Sequence, residues 1–397
     1  MVEEAKRKLN VAVIFGSRSV EHEVSIVTAL QLMENFDKEK YNVIPLYITK
    51  EGGWLTGEHL KQIESFKNLQ LVDKIARGLQ YVSLPQKVGS RELVLLNKSF
   101  FSKNIPIDIF FPALHGTFGE DGTIQGLFDM AKMPYVGCGV TAAALSMDKI
   151  AQKAVFEKEG LPVVNYFWFT REEWHDHQKQ IIEAIEDRMP YPLFVKPASL
   201  GSSVGITQAK NRKTLTQAIE VAKELDRRII IEEAVQNLVE INCSVFGFNH
   251  LEASVCEQPI KQGELLSYED KYMRGGKGGK GKGMASLSRL IPAPISPQLT
   301  KKIQDMAKIA FRAIDASGVA RIDFMMHKKT KRMYINEINT VPGSFAYYLW
   351  EKSGLPFPKL IDKLIDLGFK RFEDRFEKTL YSYDSKLLEA QTKGSKN

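Results

Sequence analysis

The chain has 397 residues, a formal net charge of +7, 44% hydrophobic residues and 26% charged residues. That length exceeds one ordinary domain and suggests two or three compact units, and the composition excludes wholesale disorder and fibrous architectures. No stretch approaches the roughly 20 apolar residues that span a bilayer, and the apolar run from Val11 to Phe15 is too short for the core of a signal peptide. The expectation is a cytoplasmic protein with no membrane partner.

The first third alternates extended apolar runs with amphipathic ones, at residues 10–16, 21–36, 42–49 and 107–114, the last followed by a glycine-rich turn. Strands alternating with helices predict a doubly wound α/β domain with a parallel sheet, whose ligands sit at the carboxyl ends of the strands. Two such ends carry informative residues, Gly16 to Ser19 and His115 to Thr117. A helix is expected from about Ser146 to Gly160, where Leu161-Pro162 stops it and marks a boundary. A small unit follows, with strands at residues 191–197 and 228–232 and a helix at 213–225 between them. A third unit starts near Glu240 and holds a helix at 298–317, strands at 320–327 and 333–339, and a last helix at 358–368. Beyond Arg375 the chain turns polar, as an exposed tail does. The expected divisions are 1–144, 145–235, 236–372 and the tail 373–397.

Cys138, Cys243 and Cys256 are odd in number and widely spaced, so they supply neither a disulfide framework nor a zinc knuckle. His175 and His177 read as surface residues of a charged helix. Between Lys271 and Arg289 six Lys or Arg residues stand with no acid, and Gly275 to Gly283 reads GGKGGKGKG. Such a segment buries no apolar area, and it suits a lid over phosphates, a solvated linker or a single-strand nucleic-acid contact.

Arg321-Ile-Asp323 and Glu337-Ile-Asn339 are the strongest local signal. Side chains alternate along a strand, so Arg321 shares a face with Asp323, and Glu337 with Asn339. Two adjacent strands can thus offer a carboxylate pair, an amide and a guanidinium to one cleft, which suits Mg²⁺ but equally a structural ion pair. The strand ending near Lys196 runs into Ser199-Leu-Gly-Ser-Ser-Val-Gly205, either a phosphate cradle built from backbone N–H groups, hydroxyls and a lysine or a plain Gly/Ser hairpin turn. It lacks the Walker A spacing. Alone, Glu21 reads as a helix-start acid and His115 as a satisfied core histidine.

Taken together these positions resemble the D-alanine:D-alanine ligase family of the ATP-grasp fold, in order and spacing, over residues 11–368. The matching stretches are Glu21-His-Glu-Val-Ser25, the run from His115 to Gly126, Met147-Asp-Lys149, the run from Val195 to Gly205, Arg321-Ile-Asp323, and the run from Glu337 to Gly343. The resemblance implies a doubly wound substrate domain followed by a two-lobed ATP-grasp domain with a lid at 268–289. It implies ligation of two D-alanines through an acyl phosphate, supplying peptidoglycan precursor. D-serine or D-lactate as acceptor, or another carboxylate–amine ligation, stands as the alternative. By position it assigns Lys149, Lys196, Ser203 and Lys271 to ATP, Glu232, Glu233 and Val235 to the adenine pocket, and Glu240 to the ribose. Asp323, Glu337 and Asn339 are assigned two Mg²⁺ ions, with Mn²⁺ able to substitute. Glu21 receives the ammonium of the first D-alanine and is linked through Ser202 to Tyr272. Arg321 and the backbone near Gly343 steady the reacting carboxyl, and His115 belongs to the substrate site. The expected assembly is a homodimer without nucleic acid.

Two stretches depart from the pattern. The Gly/Lys insertion in the lid is unfamiliar. Where the family places a serine for the second substrate's carboxylate, about five positions past Gly343, this chain has Ser344-Phe-Ala-Tyr-Tyr348, so Tyr348 takes that place and reshapes the pocket. Tyr272 favours an amine acceptor, because a phenylalanine there accompanies use of D-lactate. A dinucleotide-binding oxidoreductase is disfavoured because no G-x-G-x-x-G follows the first strand, and a nucleic-acid module leaves the two acidic strands without a task. ATP with Mg²⁺ is therefore expected to raise the melting temperature by mass action, whereas NAD and an oligonucleotide leave it unchanged; thermal denaturation checks both.

Overall fold

The computed structural model describes residues 7–66, 78–96, 103–260 and 289–379. Among the described residues three sheets organise the chain. The first contains β1 (Leu9–Gly16), β2 (Tyr41–Ile48), β3 (Trp54–Thr56), β4 (Gln80–Ser83), β5 (Glu92–Leu95), β6 (Ile105–Pro106) and β7 (Ile109–Pro112), in the order β6-β5-β4-β3-β2-β1-β7. Only β2, β1 and β7 are parallel, and β3 to β6 extend the sheet as an antiparallel meander. Helices cover both faces, as a doubly wound sheet requires. α1 (His22–Glu34) lies over Val11, Val13 and Phe15, while α2 (Thr123–Met130) packs Ile124 and Phe128 against Ala12, Ile14 and Phe110.

The helix expected from Ser146 to Gly160 is two helices, α3 (Val140–Met147) and α4 (Lys149–Lys158). Asp148 separates them, because its extended backbone ends one helix while its carboxylate accepts from the N–H groups of Ile150 and Ala151 to start the next. The second sheet, ordered β10-β9-β11-β8, comprises β8 (Tyr166–Thr170), β9 (Leu193–Pro197), β10 (Thr207–Ala209) and β11 (Arg228–Glu233). It is backed by α5 (Arg171–Arg188) and α6 (Arg212–Leu225), and their Ile181, Ile185, Leu215 and Ile219 pack on Val195, Ile229 and Ile231.

The third sheet is ordered β14-β13-β12-β15-β16, from β12 (Leu238–Gly247), β13 (Leu251–Pro259), β14 (Arg289–Leu290), β15 (Gly318–His327) and β16 (Met333–Asn339). Along β15 buried and half-buried residues alternate strictly after Ala320. Ile322, Phe324 and Met326 therefore join the core under α7 (Pro297–Ala313), with Ile303, Ala307 and Phe311. α7 stops at Ala313, short of the expected Ser317, and the chain turns through Asp315 at φ 57°. The last long helix, α9 (Phe357–Glu373), follows α8 (Tyr347–Lys352). It packs Leu360, Ile361, Leu364 and Ile365 on the first sheet. All of the 268–289 segment except Arg289, with Lys271 and Tyr272, and the tail from residue 380 lie outside the described residues.

Gly318 opens β15 at φ +79°, and a Cβ there would stand 2.8 Å from the Cα of Gly137. Both the conformation and the backbone contact demand glycine. Gly318→Ala is expected to cost at least about 1 kcal/mol, read as a lower urea midpoint with an unchanged slope.

Candidate functional site between the three sheets

A cleft is lined by side chains from the second and third sheets and from the loops that follow β1 and β7 of the first. The N-terminal domain contributes Glu21, His115 and Glu120. Glu21 stands just ahead of α1, and its carboxylate accepts a hydrogen bond from the Ser202 hydroxyl, which bridges the first domain to the glycine-rich turn. Two glycines make room for it: a Cβ on Gly116 or on Gly201 would come within 2.7 or 2.5 Å of Glu21 Oε2. The turn itself holds Ser202 and Ser203 at positive φ, 50° and 61°.

The central lobe lines the cleft with Lys149, Lys196, Glu232, Glu233 and Val235. Lys149 begins α4, where Asp148 fixes it, and its Nζ donates to the carbonyl of Leu200 at 2.5 Å. Lys196 on β9 and Lys153 on α4 both approach the buried Glu232 of β11, at 2.7 and 3.2 Å. Burial alone raises the pKa of Glu232, but the two ammonium groups outweigh it and hold it down at about 2. Burial lowers the pKa of Lys149 and of Lys153. Glu232 is therefore the anionic post on which Lys196 is held. Glu233 accepts from Asn165 at 2.7 Å.

On the C-terminal sheet the pairing register aligns Glu257 of β13, Asn242 of β12, Asp323 of β15 and Glu337 of β16 in one row across four strands. All four line the cleft, as do Glu240, Arg321, Asn339 and Gly343. Arg321 grips Asp323 through Nε and a terminal nitrogen, both at 2.7 Å, and Asn339 donates to Asp323 at 3.3 Å. The structural ion pair and the candidate metal carboxylate are thus one residue. Burial pushes Asp323 up to about 6 against the pull of Arg321, and the Glu337 carboxylate adds to the rise. A divalent cation would relieve that repulsion, and two carboxylates with an amide facing a cleft form an oxygen-donor set that fits a hard ion keeping water and phosphate oxygens. Among the described residues no group of three or more His, Cys, Asp or Glu stands where it could hold a metal ion.

His115 is buried, its Nε2 lies 2.9 Å from the Thr28 hydroxyl, and burial lowers its pKa to about 4 against a backbone hydrogen bond with Val341. Ser344 and Tyr348 do not line the cleft as it stands. The Ser344 hydroxyl donates to Gln31 of α1 at 2.6 Å, and the Tyr348 hydroxyl donates to Glu257 at 3.1 Å. Tyr348, expected in the acceptor pocket, thus meets the cleft-lining Glu257 through its hydroxyl. His175 and His177 sit on exposed turns of α5, and the three cysteines are free and buried.

A family model described as D-ala D-ala ligase N-terminus matches residues 10–138, and one described as D-ala D-ala ligase C-terminus matches residues 155–366. The chain belongs to the D-alanine–D-alanine ligase family. That is a family of ATP-dependent ligases, and use of a divalent metal goes with it. It is 42% identical to the D-alanine–D-alanine ligase of Ruminiclostridium cellulolyticum, covering 92% of this chain and 97% of that one. It is 40% identical to the enzyme of the same description from Heliobacterium modesticaldum, covering 93% and 96%. Among solved structures, the D-alanine-D-alanine ligase of Coxiella burnetii superposes with a TM-score of 0.78 at 27% identity, over 98% of this chain and 99% of that one. The D-Ala:D-Ser ligase VanG of Enterococcus faecalis superposes at 0.76 and 30%, over 91% and 100%.

Sequence reasoning missed Glu120, Lys153 and Glu257. Glu120 accepts from the N–H groups of Gly116 at 2.7 Å and Val341 at 3.2 Å, and burial, with the nearby Glu21 charge, raises it to about 8. Its place inside the 115–126 stretch was the available signal. Lys153 lies one helical turn past Lys149, a spacing that puts both on one face of α4. The depressed pKa of His115 makes a direct expectation: at pH 6, where an exposed imidazole is largely protonated, this ring stays neutral. Nitrogen-15 NMR of the imidazole reads the result, and a midpoint near 6.5 would contradict the buried placement.

Proposed function

We propose that this protein joins two D-alanine molecules into D-alanyl-D-alanine with the cleavage of one ATP to ADP and phosphate. The observation that carries the reading is the convergence on one cleft of the second and third sheets and of loops from the first, with cations on the central lobe and the oxygen row on the C-terminal sheet. Family membership and the near-complete coverage of the relatives support it.

A carboxylate is a poor acyl donor. The γ-phosphoryl of ATP passes to a carboxylate oxygen of the first D-alanine, ADP leaves, and an acyl phosphate forms. The amine of the second D-alanine attacks the acyl carbon, phosphate departs with the oxygen it received, and the ammonium proton is lost. Phosphoryl transfer asks a protein for position and charge neutralisation more than for a covalent group. Lys149 and Lys196 are suited to the ATP phosphates, Glu233 and Val235 to the adenine, Glu240 to the ribose and Glu21 to the ammonium of the first D-alanine. Glu232 acts in this reading by holding Lys196. Asp323, Glu337 and Asn339 would hold two Mg²⁺ ions, or Mn²⁺ in their place, which supply charge neutralisation at the transferring phosphoryl group. Arg321 stands beside them to steady the reacting carboxyl. The reading carries with it a homodimer in the cytoplasm, which sedimentation of the purified protein and cell fractionation address.

Product mass after incubation with ATP, Mg²⁺ and D-alanine, alone and mixed with D-serine or D-lactate, tests the assignment. D-alanyl-D-alanine is expected to dominate, and absence of any ATP-dependent product would defeat the reading. Asp323→Ala and Glu337→Ala are each expected to abolish turnover with the fold retained by circular dichroism, and full activity in either would remove the metal assignment.

A further inference from the structure

The acceptor presents an amine to the acyl phosphate and carries its own carboxylate into the cleft. A buried carboxylate needs several donors or a cation to replace its hydration. Among the described residues four cationic side chains line the cleft: Lys149, Lys196, Arg289 and Arg321. The two lysines lie on the central lobe, one held at Leu200 and the other at Glu232, and Arg321 is clasped in two bonds by Asp323. The hydroxyls of Ser344 and Tyr348 are turned to Gln31 and Glu257.

We infer that Arg289 receives the carboxylate of the acceptor amino acid, an assignment that rests on the ligase reading. The guanidinium lies 4.0 Å over the Tyr348 ring and donates to Glu257 at 2.9 Å, and its side chain is 9% exposed. Glu257 also accepts from Asn242 at 3.0 Å and from Tyr348 at 3.1 Å. The backbone is fixed as well, because β14 pairs with β13 at Pro259↔Arg289 and Gln258↔Leu290. Arg289 is thus set on a strand, stacked on one side and tethered on the other, with a fork of five N–H groups whose geometry matches a carboxylate. Tyr348 takes part in acceptor binding as the platform under the cation.

The position of Glu257 in the polar row adds a second reason. The row places Glu257 two strands from Asp323, with Asn242 between them. A carboxylate held at Arg289 therefore lies on the same sheet face as the groups that serve the phosphoryl transfer, on the opposite side of Asn242 from the metal carboxylates. Donor and acceptor ends of the reaction are then ordered along one rung of the sheet.

The experiment gives the full-length enzyme ATP, Mg²⁺, D-alanine and an equal amount of D-alaninamide, which can accept but cannot donate, and measures the ratio of the two dipeptide products by mass. The native enzyme favours the free acid. In Arg289→Gln that preference is expected to fall roughly 10- to 100-fold, with an intermediate value in Arg289→Lys and an unchanged KM for ATP. Should the single glutamine variant fail to fold because Glu257 is left with a stranded charge, the Glu257→Gln/Arg289→Gln double variant carries the measurement, and its preference is expected to fall by the same order. A folded variant that keeps the native ratio overturns the role of Arg289. A native enzyme that yields neither dipeptide sinks the ligase reading instead, so the two failures are told apart.

Discussion

The structure turns on a row of side chains held in register across the C-terminal sheet. Glu257, Asn242, Asp323 and Glu337 face the cleft from four neighbouring strands, while the intervening residues Ile322 and Phe324 are locked into the apolar core under α7. A slip of one residue in any pairing would turn carboxylates into that core and isoleucines into the cleft. Hydrophobic burial on one face therefore sets the chemistry on the other. The energy that fixes the site comes from residues that never touch it.

The rest of the cleft is built onto that row by long-range contacts. Lys196 depends on Glu232 and, through it, on Lys153. Glu21 reaches Ser202 across a boundary between domains, and Gly116 and Gly201 provide the space. Tyr348 and Arg289 both lean on Glu257. Glu232, Glu257 and Asp323 each stand within salt-bridge distance of a cation, as buried charges require.

Features that obey a local period are legible in the sequence. The alternation of Arg321 with Asp323 and of Glu337 with Asn339 needs only the two-residue repeat of a strand, and both strands lie within two residues of their expected ends. Lys196 and the 199–205 turn are legible in the same way. Three kinds of feature are not. The break at Asp148 is hidden because the residues on both sides favour helix, and a single capping side chain decides it. The mostly antiparallel extension of the first sheet rests on short strands with weak patterning. Glu120 and Glu257 are acids like many others until distant backbone and side-chain partners close on them, and no local spacing encodes a pairing such as Asn242 with Glu257.

The packing of α9 on the first sheet bears on how the chain is made. Val11, Val13, Phe15, Ile109 and Phe111 present an apolar face that is completed by Leu360, Ile361, Leu364 and Ile365. Those residues leave the ribosome some 250 positions later, a delay on the order of ten seconds or more at ordinary rates of synthesis. The first domain thus waits with a sticky surface through most of translation, a window for chaperone capture that a helix placed earlier in the chain would have closed.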